Sequence, residues 1–90
     1  MYGLKVQFHD FYCTKCGNKG LSLPRKIGQF REPGHLKRMY CFSCKDEINF
    51  AEISAGYSYD DFKYEYEHNN FQDGLRIKTI KQCLSEKEEA

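Results

Sequence analysis

Cys13-Thr14-Lys15-Cys16-Gly17 and Cys41-Phe42-Ser43-Cys44-Lys45 are the two stretches on which the reading of this chain turns. Each is a C-x2-C pair, and 24 residues separate them. Two residues between cysteines let a tight turn aim both sulfurs, and several backbone N–H groups, at one point. Gly17 suits the positive φ that such a turn demands. Two knuckles facing each other complete a tetrahedral four-cysteine site, the usual structural zinc arrangement. We therefore expect one structural Zn2+ per chain, held by Cys13, Cys16, Cys41 and Cys44. The spacer is longer than the common 15–20 residues, and a β-hairpin with a long tip over 21–36 accommodates the surplus.

Ninety residues make one small domain, and a core of that size needs a staple. Five cysteines, an odd number, argue against a disulfide framework. The first residues hold no apolar run long enough for a signal peptide, and no membrane span follows. A cytoplasmic setting, where clustered thiols bind metal, is expected. Cys83 stands apart and reads as a buried or idle thiol. His9, His35 and His68 are able to ligate metal, but four cysteines already fill the site.

Outward from the knuckles, Leu4, Val6 and Phe8 alternate with polar residues as a strand does. Leu21-Ser22-Leu23 is a second short alternation, closed by Pro24. Residues 25–35 read as an exposed loop, with strands over 37–42 and 48–53. Ser58 followed by Asp61 opens a helix over about 58–68, with Tyr59, Phe62 and Tyr66 along one face and Asn69-Asn70 at its end. Phe71-Gln72-Asp73-Gly74 is a turn. Leu75, Ile77 and Thr79 alternate as a last strand, while Ile80 and Leu84 allow a short helix in its place. The expected fold is a small metal-stabilised β-rich α+β domain. It is a zinc ribbon with a helical extension over 1–84, followed by a frayed charged tail over 85–90.

Charge is unevenly placed. From Tyr12 to Lys45 eight Lys/Arg face one Glu, a formal +7, and from Asp46 onward five face eleven acids, a formal −6. The first eleven residues balance, so the halves give the net +1. A basic tip carrying Arg25, Lys26, Arg31, Lys37 and Arg38, with His35, is suited to phosphate. Phe30 or Tyr40 would add base stacking. A second partner surface comprises Tyr59, Asp60, Asp61 and Glu65 on the acidic aromatic helix.

A closed four-cysteine site leaves no position for water. His68-Asn69-Asn70 lacks the second histidine of a His-Asn-His nuclease, and Cys83 has no local base. No catalytic constellation emerges, so a binding module is expected rather than an enzyme. Paired C-x2-C motifs with a following glycine also describe rubredoxins, but a basic loop between the knuckles argues for zinc over iron.

Lys15-Cys16-Gly17-Asn18-Lys19-Gly20, Leu23-Pro24-Arg25-Lys26 and the run Gly34-His35-Leu36-Lys37-Arg38-Met39-Tyr40-Cys41-Phe42-Ser43-Cys44-Lys45 resemble small zinc-ribbon proteins of phages and prophages of low-GC Gram-positive bacteria. Tyr59-Asp60-Asp61-Phe62 and the segment from Asn70-Phe71 to Gly74 extend the likeness to about residues 10–75. The resemblance implies a host-takeover protein made during infection, acting on host transcription, translation or defence. Its partner is expected to be nucleic acid or a nucleoprotein machine such as RNA polymerase or the ribosome. The alternative is a protein-only module that inhibits a host protein through the acidic half.

Overall fold

The computed structural model describes residues 6–26 and 32–89. Its chain order is β1 (Val6–Cys13), β2 (Lys19–Lys26), β3 (Leu36–Cys41), β4 (Asp46–Glu52), α1 (Tyr59–Glu67), β5 (Phe71–Gln72), β6 (Leu75–Arg76) and α2 (Ile80–Glu89). The first four strands form one curled antiparallel sheet in the order β2-β1-β4-β3. Two hairpins, β1–β2 and β3–β4, are therefore joined along β1 and β4. That seam is short: Phe11, Tyr12 and Cys13 lie opposite Glu52, Ala51 and Phe50. The β1–β2 register shifts between Asp10 and Tyr12, where β1 takes β4 as a second partner.

Period-2 alternation puts different side chains on the two faces of the sheet. One face carries Phe11, Cys13, Cys41 and Phe50 in a core flanked by Leu23, Met39 and Ile48. The other carries Ala51, Tyr57 and Phe62, with Tyr12, Leu36, Tyr66 and Phe71 against them. Helix α1 covers this second face. Ser58 caps it as a capping box, its Oγ accepting from Asp61 N–H while Asp61 accepts from Ser58 N–H. Phe62 is buried at the centre, its ring 5.3 Å from Tyr12, 5.9 Å from Tyr66 and 5.7 Å from Phe71.

Several expectations change. The strand over Val6 and Phe8 is present, but Phe8 is 67% exposed, and the odd positions Phe11 and Cys13 face the core instead. Leu4 lies outside the described residues. Pro24 does not end β2, because β2 is an edge strand with a single partner, where proline is tolerated. Arg25 thus sits in a strand rather than an exposed loop. Its Nε donates to Glu52 at 3.0 Å, with His9 Nδ1 2.6 Å from the same carboxylate oxygen. Beyond β6 the chain forms helix α2 rather than a longer last strand, and the helix runs to Glu89, through the segment expected to fray. Thr79 starts it by exchanging hydrogen bonds with Gln82.

Glu65 is also corrected, from a surface acid to a fully buried one. It accepts from Tyr57 Oη–H, from Asn70 Nδ2 and from Arg76 at 2.8 and 3.2 Å. Arg76 in turn donates to the carbonyl of Gly34 at 3.0 Å and lies over the Tyr57 and Phe71 rings. Gly34 has φ +72°, and a Cβ there would meet Ile80 at 2.4 Å. Burial, then the Glu65 carboxylate, raises the Tyr57 hydroxyl well above its ordinary range.

Phe62→Ala should cost about 3 kcal/mol, as a buried aromatic lost from a packed core does, read as a lowered denaturation midpoint with metal bound. Burial pushes the Glu52 carboxyl up, but the Arg25 and His9 contacts outweigh it and hold the group below its usual range. Stability from the ionised pair is therefore present above the unfolded value of about 4.3. It is lost as pH falls through the folded value. At neutral pH Glu52→Gln should cost about 2 kcal/mol, in the range for hydrogen bonds to a charged group. Denaturant titrations should show the gap from wild type closing in acid.

Candidate metal centre

Each hairpin tip is one knuckle. In the first, Gly17 N–H donates to the Cys13 carbonyl at 2.9 Å, and in the second Lys45 N–H donates to the Cys41 carbonyl at 2.7 Å. Gly17 has φ +78° and Lys45 φ +56°, so both turns close through a left-handed residue after the second cysteine. The sequence signals this only at Gly17. The turns also deliver N–H groups to sulfur: Lys15 and Cys16 to Cys13 Sγ at 3.3 and 3.4 Å, and Cys44 to Cys41 Sγ at 3.4 Å.

The four sulfurs lie within 4.8 Å of one another, with Cys13–Cys44 at 3.8 Å and Cys16–Cys41 at 3.7 Å. A disulfide would need about 2.05 Å, and all these cysteines are free thiols. The group is able to coordinate a metal ion. Burial tends to raise the Cys41 thiol, but the Cys44 N–H and the neighbouring thiols bring it down to about 7. Cys44 is pushed up to about 12 by burial and by its sulfur neighbours, and burial also raises Cys13. One thiolate forms readily, then. Cys13 and Cys44 give up their protons more readily once a cation offsets the accumulating charge.

Among the described residues this is the one cluster of three or more Cys, His, Asp or Glu close enough for a shared ion. His9 is engaged with Glu52, and His68 stacks on Tyr64 while its Nδ1 meets the Tyr64 carbonyl. Cys83 is buried on α2, and burial raises its thiol.

The expected binding residues scatter. Lys26 is the last residue of β2, and Phe30 and Arg31 lie outside the described residues. His35 is half-buried, while Lys37 and Arg38 are exposed on β3, Arg38 pairing with Glu47 at 3.2 Å. On the helix, Tyr59 is exposed and lies 4.9 Å from the Tyr12 ring, and Asp60 is exposed. Asp61 is occupied as a cap and Glu65 is internal. Sequence reasoning missed Phe42, which is 75% exposed on the second knuckle with its ring 5.2 Å from half-exposed Tyr40. A large apolar residue inside a metal turn was the available signal. These rings and Leu21 border a recess of about 180 Å³ floored by Phe50. No helix of the described residues is long and apolar enough to cross a membrane. Comparison with family models, curated proteins and solved structures finds no match to this chain.

Replacing any one of Cys13, Cys16, Cys41 or Cys44 by Ser should abolish stoichiometric metal and leave the chain unfolded or molten. Ligation of structural metal is worth on the order of 10 kcal/mol, more than so small a core supplies. Cys83→Ser should retain one metal per chain by elemental analysis. Metal retained without Cys41, or lost with Cys83, overturns the ligand set.

Proposed function

We propose that the cluster holds one structural zinc ion and that the domain is a non-enzymatic module docking on nucleic acid or a nucleoprotein machine. Four sulfurs at the corners of a tetrahedron with Zn–S bonds of about 2.3 Å stand about 3.8 Å apart. The observed separations of 3.7 and 3.8 Å fit that geometry. Four protein ligands close the coordination sphere, which suits a structural ion. Iron would fit thiolates too. The purified protein should be colourless rather than red.

The single observation that carries the docking role is at the knuckle end. Tyr40 and Phe42 expose paired rings there. The knuckle turns and edge strand β3 carry exposed cations with no ion pair among the described residues: Lys15 and Lys45 in the turns, and Lys37 on β3. Unpaired lysines attract phosphate, and exposed rings accept bases without reading sequence. Of the expected loop, Arg25 is paired with Glu52, and residues 27–31 lie outside the described residues. A role on RNA polymerase or the ribosome accords with the phage-encoded proteins that the chain resembles. The rival protein-only reading loses support because two of its four residues, Asp61 and Glu65, are occupied within the fold.

Lys15→Gln, Lys37→Gln and Lys45→Asn together should leave zinc content unchanged; Asn is chosen because it tolerates left-handed backbone. Fluorescence anisotropy with a single-stranded oligonucleotide should show the log–log salt slope falling by about two. Phe42→Ala should weaken binding about tenfold, the scale of one lost stacking contact. No measurable affinity for DNA, RNA or ribonucleoprotein at low salt would sink the proposal.

A further inference from the structure

A groove of about 700 Å³ runs between the first knuckle, the β3–β4 hairpin and the segment joining α1 to β6. Its size lies in the range that encloses small ligands or a few side chains of a partner. The charges along it decide what enters. Arg38 and Glu47 pair with each other. That leaves Lys15 and two carboxylates, Glu67 and Asp73, along the groove, and none of the three has an ion pair among the described residues.

The backbone adds to the negative side. Helix α1 ends here with no Lys or Arg in its last turn, and the side-chain contact to a carbonyl at that end is His68 Nδ1 against Tyr64, so the partial negative charge of the C-terminus adds to the acidic side. Tyr66 and Phe71 supply the apolar wall, and both are braced by Phe62 behind them. Asn69 and Asp73 hold left-handed φ values of +55° and +52°, and both line the groove. With Arg38 and Glu47 paired, two acids stand against one lysine along the groove, so its balance of side-chain charge is negative.

We propose that this groove binds an arginine-bearing peptide segment of a partner protein. A guanidinium matches carboxylates through its planar fork of donors and lies well against aromatic rings. Lysine offers a compact, strongly hydrated charge with neither property. The site shares Lys15 with the nucleic-acid reading but is tested apart from it, because Glu67 and Asp73 carry the recognition and have no part in that reading.

The test uses the full zinc-loaded chain and three blocked pentapeptides, with Arg, Lys or Glu at alternate positions between glycines, followed by amide NMR. The Arg peptide should shift the amides of Lys15, Asn69, Asp73 and Gly74 and bind at least threefold tighter than the Lys peptide. Glu67→Gln with Asp73→Asn should weaken it about tenfold at unchanged zinc content, while oligonucleotide affinity stays the same. No shifts up to millimolar Arg peptide, shifts confined to other surfaces, or equal binding of the Glu peptide would each overturn the proposal. Equal binding of the Lys peptide would overturn the guanidinium assignment. An oligonucleotide that moves the same four amides would assign the groove to nucleic acid instead. Failure of oligonucleotide binding alone would overturn the knuckle-end reading and leave this one standing.

Discussion

Four thiols brought within 4.8 Å are the constraint on which the molecule depends. Each pair sits at the tip of a hairpin, so bringing the pairs together fixes the two hairpins relative to each other. The direct seam between the hairpins is only three residue pairs long, from Phe11 to Cys13 on β1. Such a seam is weak by itself, since a few ladder bonds offset little of the backbone entropy lost. Sulfur convergence does what a longer sheet would do in a larger protein. It also determines which face of β1 is buried: Cys13 must face the cluster, so Phe11 does too, and Val6 and Phe8 are left at the exposed end.

A second lock holds the other side of the sheet, and it is polar. Glu65, wholly buried on α1, joins Tyr57, Asn70 and Arg76, and Arg76 reaches the carbonyl of Gly34 ahead of β3. Taking a carboxylate and a guanidinium out of water is costly, and only dense hydrogen bonding compensates for it. Every buried side-chain nitrogen or oxygen among the described residues has such a partner. The network ties helix, C-terminal segment and the connection from β2 to β3 together; β2 and β3 are opposite edges of the sheet, so the expected hairpin with a long tip over 21–36 is not formed. Exchange of one member for an apolar residue would leave its partners unpaired.

How much of this the sequence disclosed follows from the range of each interaction. The knuckles, the Ser58–Asp61 cap and the aromatic face of α1 are local patterns, separated by a few residues, and they read correctly. The fates of Arg25 and Glu65 depend on partners 27 and 11 residues away, so their charge suggested surface positions that tertiary pairing overrode. The inner face of β1 was not legible for a related reason. Val6 and Phe8 give a clean alternation, but a strand with one half outside the core obeys the half that is anchored, at Cys13. The Thr79–Gln82 cap was legible as a local motif, yet the alternation of Leu75, Ile77 and Thr79 competed with it. Phe42 was hidden by its setting, because the cysteines on either side explained the turn without it.

The opposed charges of the two sequence halves are redistributed by the fold rather than preserved. Some cancel inside: Arg25 against Glu52 removes a cation from the basic half and an acid from the acidic half, and Arg76 against Glu65 removes one of each from the acidic half. What remains exposed is sorted by position. Lys15 and Lys45 occupy the knuckle turns, where a metal-bound set of four thiolates would carry a formal charge near −2. Part of their charge would then offset the centre itself, while Lys37 and the rings of Tyr40 and Phe42 are exposed. Glu67 and Asp73 gather on the far side of the first knuckle, beside the negative end of α1. A chain of near-zero net charge thus carries unpaired charges of both signs around its cysteine cluster. Net charge alone gives no warning of this, because it sums over groups that the fold has already paired.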